Sequence, residues 1–109
     1  MVNYTLTQTL KKIIKEKGLY NTGALYNSVS VELEISNDTV TVNVFVNDYF
    51  KFLDENYVLT ETFTSTPEFT EEVTYAFQDF IISKLDETID SGKELVIDPK
   101  VFVEYFYLA

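Results

Sequence analysis

Two runs of strict alternation constrain this chain more than anything else in it. Val29, Val31, Leu33 and Ile35 alternate with polar residues, and so do Val40, Val42, Val44 and Val46. Between them stands Asn37-Asp38. Asn and Asp tolerate positive φ better than most residues, so this pair reads as a two-residue hairpin turn. That turn sets Ile35 opposite Val40, Leu33 opposite Val42, Val31 opposite Val44 and Val29 opposite Val46. Every apolar residue then lands on one face, and Glu32, Glu34, Thr41 and Asn43 land on the other. A lone hairpin is not stable in water, so helices must cover the apolar face.

The helices are found by their own period. Leu6, Leu10, Ile13 and Ile14 make one face of a helix over about residues 5–17, with Thr5 as N-cap and Gly18 just past its end. Thr66-Pro67-Glu68 is a helix start, and Phe69, Val73, Ala76, Phe77, Phe80, Ile81 and Leu85 carry helical spacing to about residue 90, where Gly92 ends it. Between these pieces, 19–27 reads as a partly regular connector. Tyr49, Phe52 and Leu53 suit a short amphipathic helix, and the Thr-rich stretch 57–65 reads as extended. The expectation is one α+β domain over residues 1–109. It has an antiparallel sheet built on a hairpin at about 28–46, an N-terminal helix and a long helix at about 67–90.

The last segment, 94–109, is apolar on both strand faces through Val101, Phe102, Val103, Tyr105, Phe106, Tyr107 and Leu108. Such a strand is usually buried on both sides, and a chain of 109 residues has little room for that. These seven residues are therefore the expected assembly interface, completed by a second copy or a neighbouring protein, with closure inside the chain's own sheet as the alternative.

Composition removes most chemistry. The chain holds eight Lys and Arg against eighteen Asp and Glu, a net charge of -10, with no His, Cys or Trp. Phosphate recognition draws on basic residues, so direct nucleic-acid binding is not expected. Lys11, Lys12, Lys15 and Lys17 cluster on the first helix; they read as a solvated face, with contact to an acidic neighbouring subunit as the alternative. Without Cys or His there is no thiol nucleophile, no Cys/His zinc site and no disulfide framework. Asp54 and Glu55 are adjacent in sequence and point about 100° apart on a helix, a poor acid/base pair. Ser28 has no base to activate it. No catalytic, cofactor, metal or small-molecule substrate site is expected, and so no enzyme. The N-terminal residues have neither the basic region nor the apolar core of a signal peptide, and no stretch is apolar enough for a membrane span.

The order of elements resembles a known family. The glycine turn Thr22-Gly23-Ala24-Leu25-Tyr26-Asn27-Ser28 precedes a Val-rich hairpin. Then follow the short segment Tyr49-Phe50-Lys51-Phe52-Leu53-Asp54-Glu55 and the helix start Pro67-Glu68-Phe69. Over roughly residues 5–90 this is similar to the tail-completion or neck proteins of tailed bacteriophages. The family commonly has Gly after the acid of the short helix, where this chain has Asn56 and Tyr57. The resemblance implies a virion structural protein, assembled in the host cytoplasm into a homo-oligomeric ring at the head–tail junction beside connector and tail proteins. It implies a turn motif of Thr22, Gly23, Leu25 and Ser28 that delivers Leu25 to the core and starts the hairpin. A different class of function is a small acidic phage inhibitor that imitates the charge of DNA and binds a host enzyme.

Overall fold

The computed structural model describes residues 1–19, 23–36, 39–92 and 100–108; for Asp79, Ser83, Lys84 and residues 87–91 it describes the backbone alone. In chain order the elements are α1 (Tyr4–Glu16), α2 (Ala24–Ser28), β1 (Ser30–Ser36), β2 (Thr39–Asn47), α3 (Phe50–Leu53), a 3-10 turn (Glu55–Tyr57), α4 (Val58–Thr64), α5 (Pro67–Ser91) and β3 (Lys100–Leu108). The fold is α+β, with a three-stranded sheet in the order β1-β2-β3 among the described residues.

The hairpin register is the one that alternation dictates. Ile35 pairs with Val40, Leu33 with Val42 and Val31 with Val44. The ladder starts at Ser30 opposite Phe45, so the expected Val29–Val46 pair is not formed. Val29 instead follows α2, its N–H directed to Tyr26 O, and is still buried. The turn expected at Asn37-Asp38 lies outside the described residues. Val31, Val40, Val42, Val44 and Val46 are all 0% exposed, whereas Ile35 is 51% exposed. Along β1, cover therefore thins toward the turn end, leaving Leu33 half-buried, while Val40 opposite Ile35 stays closed on β2.

β3 alters the sheet. It pairs with β2 in parallel, from Thr39 opposite Lys100 to Asn47 opposite Leu108. The sheet is thus mixed rather than antiparallel. The terminal segment pairs with the hairpin inside its own chain, the alternative that its sequence left open.

The helices lie against the valine face. Leu6, Leu10, Ile13 and Ile14 of α1 share one core with Phe50, Leu59, Phe63, Phe69, Val73 and Phe77. The cap of α1 is Asn3 rather than Thr5: Asn3 Oδ1 accepts from Leu6 N at 2.9 Å. Asn3 also donates its N–H to Val31 O at 2.7 Å, so the cap is held by the sheet edge as well. At the other end Gly18 takes φ 74. Its N–H bonds to Lys15 O and that of Leu19 to Ile14 O, a Schellman closure. Thr66 caps α5 as expected, its Oγ1 accepting from Phe69 N at 3.2 Å.

Residues 58–64 are helical, where β-branched composition suggests an extended strand. Leu59 and Phe63, four apart, are both buried, and that burial outweighs the Thr content. The Thr hydroxyls are accommodated by bonding back along the helix, Thr62 donating to Val58 O and Thr64 to Thr60 O. A short helix also needs its first amide groups satisfied, and a residue from outside does this: Asp54 Oδ1 accepts from Leu59 N at 2.8 Å and from Thr60 N at 3.1 Å.

The gradient of burial along the hairpin predicts a gradient of cost. Val42→Asp places a charge in the closed core and should abolish folding. Leu33→Asp should cost about 1–3 kcal/mol, and Ile35→Asp less than about 0.5 kcal/mol. Urea melts of the three variants measure this order directly.

Candidate functional site

The surface of β3 is set by its place in the sheet. Parallel partners share a face, so Val101, Val103, Tyr105 and Tyr107 stand on the helix side with the β2 valines. Phe102, Glu104, Phe106 and Leu108 stand on the outer side with Thr41, Asn43, Phe45 and Asn47. Asp48 N–H donates to Leu108 O at 3.0 Å. Hydrogen-bonding residues alternate along a parallel strand, so Phe102, Glu104 and Phe106 direct their peptide groups to β2 as Leu108 does. The peptide groups of Val101, Val103, Tyr105 and Tyr107 point to the far edge, along which no described strand pairs.

The seven interface residues expected from sequence divide into two sets. Val103 and Tyr105 pack against the core, and the Tyr105 ring stacks on Phe50 with centroids 5.3 Å apart. Val101, Phe102, Phe106, Tyr107 and Leu108 are exposed. The strand is therefore not buried on both faces; its outer side is open. On that side Phe106 stacks on Phe45 at 4.9 Å and 17°. A strand edge with no described partner thus stands beside exposed aromatic rings.

The glycine turn does one of the two jobs expected of it. Gly23 takes φ 78 and precedes α2, and Leu25 is buried. Ser28 ends that helix instead of starting the hairpin. Its Oγ donates to Leu25 O at 2.6 Å and accepts from Asn47 N at 2.8 Å. The hydroxyl ties the end of β2 to α2, and both its hydrogen-bonding roles are occupied. Thr22 lies outside the described residues.

One strained loop stands beside β3. Asn56 and Tyr57 take φ 54 and 60, a left-handed pair. For a bulky residue this conformation is unfavourable, by roughly 1–2 kcal/mol. Lys51, Asp54, Glu55, Asn56, Tyr57 and Tyr107 line an open depression of about 430 Å³ there. Asp54 is not placed as a base. Besides capping α4 it accepts from the Thr60 hydroxyl, which in turn is 2.6 Å from Tyr105 OH. Burial outweighs that hydrogen bond and pushes the Tyr105 phenol up to about 12. Tyr107 is also raised, by burial and then by the charge of Asp54. Among the described residues no three His, Cys, Asp or Glu side chains come together as a metal site, and no described helix is long and apolar enough to cross a membrane. Sequence reasoning did not single out Asp54 as a cap, and the visible signal was its position just before a helix with no capping residue of its own.

No protein-family model matches the chain, and no curated relative and no solved structure matches it.

Two outcomes follow from this loop and its neighbour. Tyr57→Gly should raise stability by about 0.5–1 kcal/mol in a thermal melt, since Gly adopts φ 60 without strain and loses part of the gain to unfolded-state freedom. The Tyr105 phenol ionises at about 12 in the fold and near 10 when unfolded. Its contribution to stability is thus complete below about pH 10 and lost as pH rises toward 12. Denaturant melts at alkaline pH should show Tyr105→Phe losing less stability over this window than the parent chain.

Proposed function

We propose that this protein is a virion structural subunit, a neck or tail-completion protein that oligomerises as a ring at the head–tail junction of a tailed phage. The observation that carries the assembly part is the open side of β3. Phe102 is 53% exposed, Phe106 44% and Leu108 45%, all beside an edge strand of nine residues. A monomer that leaves such a strip in water risks uncontrolled association, so a specific partner for it is the economical explanation. The element order from the first helix to the long helix supports the phage neck as the place of assembly.

The same surface argues against a reaction centre. The outer β3 side chains Phe102, Glu104, Phe106 and Leu108 are apolar, aromatic or acidic, and the Ser28 hydroxyl at the end of β2 is spent on structural hydrogen bonds.

The test is a pair of measurements. The purified chain should form a defined oligomer in sedimentation velocity, and Phe102→Lys/Phe106→Lys should be a folded monomer. In infected cells, the parent chain should be recovered from purified particles and the variant should not. Recovery of a host DNA-binding enzyme with the protein, in a salt-sensitive complex and without phage structural proteins, would favour the acidic inhibitor instead.

A further inference from the structure

On the outer face of the sheet, Glu32, Asn43 and Glu104 stand side by side across β1, β2 and β3. Asn43 is 5% exposed, and its Oδ1 has no hydrogen-bond partner. A buried amide oxygen in this condition is unfavourable until a donor reaches it. With a carboxylate on each neighbouring strand, the donor that fits is cationic. Two residues along β2, the Phe45–Phe106 stack offers an apolar bed for the stem of such a side chain.

The chain carries the matching group on its opposite side. Four of its eight lysines are Lys11, Lys12, Lys15 and Lys17. α1 packs on the helix side of the sheet through Leu6, Leu10, Ile13 and Ile14, so helical spacing turns Gln8, Lys12 and Lys15 away from the core. Lys12 and Lys15 are exposed. Lys12 reaches Glu16 at 3.9 Å, with both side chains mostly in water, a pair of small value. Lys11 is engaged differently, its ammonium 5.1 Å over the Tyr26 ring.

We propose that the outer face centred on Asn43 receives the Lys12–Lys15 side of α1 from a second copy of this chain. One ammonium group enters between the carboxylates of Glu32 and Glu104 and parts the side chains that close off Asn43 Oδ1 in the single chain, so that it can donate to that oxygen. The two surfaces are unlike and lie on opposite sides of one protomer. Their contact is heterologous, so each copy adds to the last by the same rotation, and a rotation that closes makes a ring. This rests on the assembly reading above and names the surfaces it uses.

Charge exchange tests it. Glu32→Lys/Glu104→Lys blocks one surface, and Lys12→Glu/Lys15→Glu blocks the other. Each variant alone should be a folded monomer at concentrations where the parent assembles, and in an equimolar mixture the intact lysine side of one variant should meet the intact sheet face of the other, giving at least a heterodimer by sedimentation. The contact is overturned if either variant assembles alone like the parent, or if the mixture stays monomeric. Asn43→Val gives a second readout. It removes the unpaired oxygen, so the monomer should melt at or above the parent temperature while assembly weakens about tenfold; unchanged assembly counts against the contact. Should a charge-exchanged chain fail to fold, Lys12→Ala/Lys15→Ala takes its place: assembly at least tenfold weaker supports the contact, and unchanged assembly overturns it. Assembly that survives both exchanges but is lost in Phe102→Lys/Phe106→Lys overturns this contact and leaves the ring reading standing. A parent chain that is monomeric at every concentration overturns both.

Discussion

The structure hangs on β2. Val40, Val42, Val44 and Val46 are completely buried, and the strand is paired on both edges, antiparallel to β1 and parallel to β3. Each buried valine contributes roughly 1.5–3 kcal/mol from removal of apolar surface. The strand also occupies the one position in a three-stranded sheet where every peptide group can pair. The helices reach this strand's valines from one side only. That single choice makes the rest follow: a closed core on one face, and a bare sheet on the other.

The bare face is where the protein departs from a simple two-layer design. A solvated sheet face is usually polar throughout, but here aromatic rings from β2 and β3 sit among carboxylates, with a buried amide whose oxygen is unpaired. The opposite surface, formed by α1, carries a concentration of lysines unusual for so acidic a chain. Two unlike surfaces separated by the thickness of one core suit repeated addition better than closed pairing. The strained loop at Asn56 and Tyr57 belongs to the same economy. It turns the chain from α3 into α4 within a few residues, and Asp54 holds the junction by capping α4 from outside.

Alternation and helical period were enough to read the hairpin register, both principal helices and the Thr66 cap, because each depends on side chains a few residues apart. The sequence also marked β3 as unusual, through apolar residues on both faces. It did not reveal that β3 pairs with β2, nor in which direction. Strand pairing across more than fifty residues leaves no local trace, since backbone hydrogen bonds are the same for any sequence that can extend. The helix at 58–64 was hidden for a related reason. Its cap comes from Asp54, and its hydrophobic pair, Leu59 and Phe63, gains stability only from a core built by other elements.

The sequence by itself thus determined which faces are apolar, where the hairpin folds back, and that the chain has no His or Cys. The tertiary structure alone decided that the terminal strand closes the chain's own sheet on one edge while its outer rings stay exposed. It alone decided that Glu32, Asn43 and Glu104 form one row. The reason is that a residue's face is set by local period, whereas its neighbours across a sheet are set by which distant strands win the competition to bury β2.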